Sequence, residues 1–167
     1  MPLASMPPTT RHTAFNSLIF GCALHALPAA CFALFRRMRA AGAPFDAVTL
    51  MTLLSAAPQS VVSQLHALAG KAGLAAETNV GNCLISAYAR RGAGLGRQVF
   101  DEMPLTSCDI VSWNAHAVLS SHAQNGLAGD ALDLYGRMCG HDGGGVEPDV
   151  VMLVGVLPHV PTLESAM

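Results

Sequence analysis

Apolar side chains return along this chain at the three- and four-residue steps of a helix, and glycine or proline interrupts them at intervals. Val80, Leu84, Ile85 and Tyr88 fall at i, i+4, i+5 and i+8. Gly92 and Gly94 then break the run, and Leu95, Val99, Phe100 and Met103 repeat the spacing. The pattern predicts two amphipathic helices joined by a turn. A similar stripe of Leu127, Ala131, Leu132, Tyr135 and Met138 follows the turn residues Gln124, Asn125 and Gly126. In it Asp130 comes early and Arg137 late, so each charge complements the helix dipole, and Asp133 stands four residues before Arg137. Both stripes are read as core.

Residues 14–35 carry no Asp, Glu, Lys or Arg. At about 1.5 Å per residue, so long a helix could cross a bilayer. Pro28 and the polar residues Asn16, Ser17 and His25 favour another reading, two short buried helices around a turn, with Pro28 at a first helical position where its missing N–H costs little. No membrane association is expected.

The helical segments repeat. AFNSLI (14–19), VGNCLI (80–85) and SWNAHAV (112–118) each set an Asn just before an apolar helical face. The Asn positions are 16, 82 and 114, which fit units of about 33 residues with one divergent unit between the first two. A second half-motif follows each: ALFRRMRAAG, GRQVFDEMP and ALDLYGRMCG. A helical hairpin of this size cannot hide its apolar face alone, so successive hairpins must stack. The fold expected is all-α, a right-handed superhelical solenoid of antiparallel helical hairpins.

Composition agrees with a helical core. Of 167 residues 51% are hydrophobic but only 5% aromatic and 12% charged. The net charge of -2 excludes a protein that binds nucleic acid by bulk attraction. The basic clusters are Arg36, Arg37 and Arg39, then Arg90, Arg91 and Arg97. Five Cys at 22, 31, 83, 108 and 139 match neither a disulfide framework nor zinc spacing, and are read as reduced, buried thiols.

Six strings resemble the pentatricopeptide repeat family, in the plant subclass where standard, longer and shorter repeats alternate. NVGNCLISAYARRGAGLGRQVFDEMP (79–104) is like the shorter type. IVSWNAHAV, HAQNGLAGDALDLYGRM and GVEPD (145–149) are like the standard type, and VTLMTLLSA with QLHALAGKAGL is like the longer one. The alignment gives repeats at 12–46, 47–77, 78–109 and 110–149, a partial one at 150–167, and residues 1–11 as the tail of a preceding repeat or a flexible N-terminus. The second repeat is short near Pro58 and Gln59. The fourth carries extra residues in AHAVLSSHA, inside its first helix, and in CGHDGGG, where Gly143, Gly144 and Gly145 are expected to bulge outward.

The resemblance implies that each repeat takes one base of single-stranded RNA, through its fifth and last residues. These are Asn16 with Asp46, Asn82 with Asp109, and Asn114 with Asp149. An Asn amide carries a donor and an acceptor, enough for a Watson–Crick edge, and an Asp can orient it. In the family Asn with Asp implies uridine, with cytidine tolerated. Second-position residues Thr13, Asn79 and Val111 would flank the base plane. Met51 with Glu77, and Val154 in the partial repeat, cannot read an edge, so the register expected is pyrimidine, gap, pyrimidine, pyrimidine, gap. Arg90, Arg91 and Arg97 are candidate phosphate contacts. The plainer alternative for Asp46, Asp109 and Asp149 is helix capping.

No catalytic chemistry is legible. The His-x-Glu and Cys-x-x-Cys elements of a zinc deaminase are absent, so editing would need a factor supplied in trans. RRGAGLGRQ (90–98) lacks the glycine spacing of a phosphate loop and is read as a turn. The seven His form no ligand set at metal spacing, and no cofactor or metal is expected. The expected function is sequence-preferring, pyrimidine-preferring binding of single-stranded RNA by a monomer, supporting RNA editing or processing in a mitochondrion or chloroplast. An Arg-bearing N-terminus free of acid up to Asp46 is compatible with a transit segment. The alternatives are a protein-interaction scaffold and a truncated, non-functional repeat fragment.

Overall fold

The computed structural model describes residues 7–123, 136–140 and 146–150, and every regular element among them is helical. The chain divides into two compact units, Met1–Cys83 and Leu84–Met167.

In the first unit, α1 (Pro8–Leu24) and α2 (Pro28–Ala40) form one hairpin, and α3 (Ala47–Ala56) and α4 (Val62–Lys71) a second. The two hairpins stack, with α1 packed on α2 and on α3. Each helix buries one stripe: Phe15 and Ile19; Cys31, Phe35 and Met38; Leu50, Leu53 and Leu54; Val62, Leu65 and Ala69. Complete burial of a Leu, Ile, Phe or Met is worth about 1.5–3 kcal/mol, and these stripes hold the hairpins together. Arg11 adds a tie, its Nη1 donating to the Ala41 carbonyl at 2.9 Å.

The charge-free stretch 14–35 is thus two helices, with Pro28 at the start of α2. No helix among the described residues is long and apolar enough to cross a membrane. The stretch looks membrane-like because α1 is apolar around its circumference: Phe15 and Ile19 face inward while Leu18, Phe20 and Leu24 are exposed.

Three helix ends share one termination. After α2, Gly42 N donates to Arg39 O and Ala43 N to Met38 O. After α4, Gly73 N donates to Gly70 O and Leu74 N to Ala69 O. Gly42 and Gly73 sit at φ 64° and 72°, the left-handed conformation that this paired bond requires. After α1, Ala26 N donates to Ala23 O and Leu27 N to Cys22 O, and Ala26 holds φ 53° without being glycine. Near Pro58 and Gln59 a tight 3-10 turn, Gln59–Val61, leads straight into α4.

In the second unit, the end of α5 (Thr78–Ala89) is followed by α6 (Ala93–Glu102), a 3-10 turn at Leu105–Ser107, and α7 (Ile110–Ala123). Helix α6 packs on α7. Phe100 meets Trp113 edge-on at 5.1 Å and the His116 ring at 4.3 Å; all three side chains are buried. The indole Nε1 of Trp113 is buried with no hydrogen-bond partner among the described residues.

Several expectations are corrected here. Only Gly92 falls in the turn after α5; Gly94 and Gly96 lie inside α6, because burial of Val99 and Phe100 outweighs weak helix propensity. Most of 90–98 is therefore helix, not turn. Leu95 is exposed at the start of α6 and is not core. AHAVLSSHA lies within α7, as expected. All five cysteines are free, but only Cys31 and Cys108 are buried; Cys22 and Cys83 are half-buried and Cys139 is exposed. The stripe Leu127, Ala131, Leu132 and Tyr135, with Gln124, Asn125, Gly126, Asp130 and Asp133, lies outside the described residues, as do Gly143, Gly144, Gly145 and Val154. Met138 is buried, and Arg137 lies 3.8 Å from Asp101.

Candidate nucleic-acid interface

Asn16 follows Phe15 on α1, so the residue that anchors the helix also fixes where the amide emerges. Asp46 is held from the other side. Phe45, just before it, packs edge-on against Phe35 at 5.6 Å and lies under the Arg39 guanidinium at 5.5 Å. Asp46 then caps α3: Thr49 N donates to Asp46 Oδ1 at 2.9 Å, and Asp46 N donates to Thr49 Oγ1 at 3.2 Å. This reciprocal box satisfies two backbone donors that a helix start otherwise leaves open.

The amide and the carboxylate meet. Asn16 Nδ2 donates to Asp46 Oδ1 at 3.2 Å, and the Thr49 hydroxyl donates to Asn16 Oδ1 at 2.7 Å. His12, one turn before Asn16, brings Nε2 to 3.1 Å from Asp46 Oδ2 and 3.1 Å from Asn16 Nδ2. Burial works against ionisation of Asp46, but the Thr49 N–H and hydroxyl, the Asn16 amide and His12 outweigh it and hold the carboxyl below its ordinary value.

The second unit repeats the pairing with different surroundings. Asn114 Nδ2 donates to Asp149 Oδ2 at 2.8 Å. Asn114 Oδ1 is closed off from solvent and has no hydrogen-bond partner among the described residues. Asn114 lines a groove of about 550 Å³ between α5 and α7, with Ile85, Ser86, Ala89, Arg90, Val111 and Ala115. Asp109 caps α7 as Asp46 caps α3: Ser112 N donates to its Oδ1 at 2.9 Å, and Asp109 N donates to Ser112 Oγ at 3.2 Å. Asn82 is half-buried on α5; it belongs to the first compact unit and Asp109 to the second.

Of the base-flanking candidates, Thr13, Asn79 and Val111 are all exposed, each near the start of its helix. Arg90 borders the groove that holds Asn114, whereas Arg97 sits on the second helix of its hairpin and Arg91 in the turn. Met51 is half-buried on α3, and Glu77 directly precedes α5. His12 and Thr49 were missed in the sequence. The signals were there: a Thr three residues after Asp46 is a capping-box spacing, and His12 stands at i-4 from Asn16.

Stacked two-helix hairpins, the first placing the Asn16 amide beside the carboxylate that caps α3, define an α-helical repeat protein. The family model described as "PPR repeat" matches residues 13–42 and 116–142, the second match beginning inside α7 at His116. The chain belongs to the pentatricopeptide repeat family. It is 38% identical over 148 residues to a putative pentatricopeptide repeat-containing protein of Arabidopsis thaliana named as mitochondrial, a match covering 86% of this chain and 23% of the relative. A second Arabidopsis thaliana member, also named as mitochondrial, is 32% identical over 92% of this chain and 20% of its own length. A third, named as chloroplastic, is 34% identical over 85% of this chain and 16% of its own. The chain thus spans less than a quarter of the length of these relatives.

Proposed function

We propose that the chain binds single-stranded RNA in a mitochondrion or chloroplast, preferring pyrimidines at the positions faced by its Asn–Asp pairs, and so supports editing or processing by factors supplied in trans. It binds rather than catalyses, and acts as a monomer. The observation that carries this reading is Asn114. Its amide nitrogen is bonded to Asp149, while its carbonyl oxygen has no hydrogen-bond partner among the described residues and Asn114 lines a groove bordered by Val111 and Arg90. An unpaired buried acceptor costs about 1–3 kcal/mol, which an N–H on a base edge entering from the groove recovers. Uracil N3–H and the cytosine amino group are such donors. Val111 supplies an apolar surface for the base plane, and Arg90 a cation for the phosphate. The relatives named as mitochondrial and chloroplastic support the organellar location.

The test is fluorescence anisotropy with A-rich RNA of about twelve nucleotides carrying U-A-U-U, its reverse U-U-A-U, or a scrambled sequence. One of the two ordered sequences binds more tightly than the scrambled RNA, and Asn114→Ala weakens that preference by roughly five- to tenfold, the worth of one or two hydrogen bonds. Equal affinity for all three RNAs refutes the reading.

A further inference from the structure

The first Asn–Asp pair differs from the last. We propose that His12 is a third member of the first pair and acts as its proton-controlled positioning residue: acquiring a proton on Nε2 moves its hydrogen bond from Asn16 to Asp46 and releases an Asn16 N–H for the base. The inference rests on the RNA reading above.

The geometry forces a choice. His12 Nε2 stands 3.1 Å from both Asp46 Oδ2 and Asn16 Nδ2. A bare nitrogen accepts from the Asn16 amide but then confronts a carboxylate oxygen. A nitrogen bearing hydrogen donates to the carboxylate and turns away the amide hydrogen. The rest of the Asn16 amide is engaged, one N–H on Asp46 Oδ1 and the carbonyl under the Thr49 hydroxyl. The hydrogen facing His12 is therefore the amide donor that can be freed without breaking the Asn16–Asp46 bond. A neutral ring spends part of its time with Nε2 bare; an imidazolium never does.

The surroundings support one direction. The charge in contact with His12 is Asp46, which a protonated ring neutralises, lowering repulsion of a phosphate backbone. Helix α3 carries no titratable residue. The cations of the packed elements are Arg11, which donates to Ala41 O, Arg39, stacked over Phe45, and the exposed Arg36 and Arg37. His25 sits at the opposite end of α1. Among the five expected repeats only the first opens on a titratable side chain. The others open on Ala47, Thr78, Ile110 and Val150.

The test repeats the anisotropy assay with the full chain at about pH 6 and pH 8, a window that spans imidazole titration. The preferred RNA binds up to about threefold more tightly at the lower pH, less than the full worth of one donor because the neutral ring has Nε2 bare only part of the time. Replacing its isolated U by A abolishes the pH effect, whereas replacing a U of the pair leaves it. His12→Gln, which cannot titrate, gives a flat profile while the other histidines remain. RNA binding that is pH-insensitive, or equally pH-sensitive in His12→Gln or with the isolated U replaced, overturns this inference alone. No RNA binding at either pH overturns the RNA reading and this inference with it.

Discussion

Thr49→Val probes the link between folding and the first Asn–Asp pair with almost no change of shape. Thr49 is 1% exposed, and its hydroxyl accepts from Asp46 N and donates to Asn16 Oδ1. Each such bond contributes about 0.5–1.5 kcal/mol net. Substituting a methyl for the hydroxyl returns at most about 0.8 kcal/mol of apolar burial, so the variant loses about 1 kcal/mol overall. Urea unfolding followed by helical circular dichroism reads this as a midpoint lowered by about 0.3–1 M at unchanged slope. The decisive comparison is a double-mutant cycle with Asn16→Ala. In that background the hydroxyl no longer reaches an amide, so Thr49→Val costs less by about 0.5–1.5 kcal/mol. Additive effects, or a Thr49→Val chain as stable as the parent, would show that the Asn16–Thr49 bond carries no energy and that Asn16 is oriented by something else.

Ala26 occupies the left-handed position that Gly42 and Gly73 fill after α2 and α4. An L-residue there costs about 1–2 kcal/mol, and glycine's looser unfolded chain takes back about 0.4–1 kcal/mol, so Ala26→Gly raises stability by about 0.5–1 kcal/mol and Gly42→Ala lowers it in the same unfolding assay. Acid acts through Asp46, whose folded-state carboxyl is held below its ordinary 3.8. Its contribution is present above that value and fades as pH falls through the lower folded value. Asp46→Ala, which removes cap and charge together, therefore destabilises by about 0.5–1 kcal/mol at pH 7, the low end for a cap because this carboxylate is 42% exposed and screened. The difference from the parent shrinks below about pH 3.8 in urea titrations.

The hairpins were legible because each helix carries its core on one stripe and ends on chemistry that can be named. Leu50, Leu53 and Leu54 announce α3, Asp46 its start, and Gly42 the end of α2. Misreadings arose where local pattern and packing disagree. Leu95 fits the stripe of its neighbours, yet it lies in the first turn of α6 and stays exposed. Gly94 reads as a breaker and is helical, because Val99 and Phe100 anchor α6 further on. The fifth and last positions of the first and fourth expected repeats do meet, but the partners that set their chemistry were not visible. Thr49 is 33 residues from Asn16, and a linear reading cannot show that its hydroxyl reaches back to the preceding hairpin.

Two of the three carboxylates that the family resemblance assigns to base reading, Asp46 and Asp109, also start helices. Asp46 Oδ1 accepts from Thr49 N as well as from Asn16, and Asp109 accepts from Ser112 in the same way. An anion at a helix N-terminus is favoured by the dipole whether or not RNA is present. The recurrence of Asp at these positions therefore follows from folding alone and cannot be credited to reading. The amides are different. Asn16 and Asn114 lie inside α1 and α7 and cap nothing, so helix formation gives no reason for an Asn at either place. At Asn16 the protein supplies partners for the amide; the Asn114 carbonyl has none among the described residues. Asn16 is bonded to both members of the box that starts α3, so replacing it also touches stability. Under the proposed RNA reading, Asn114, which bonds no residue of its own helix start, is where recognition separates most cleanly from stability.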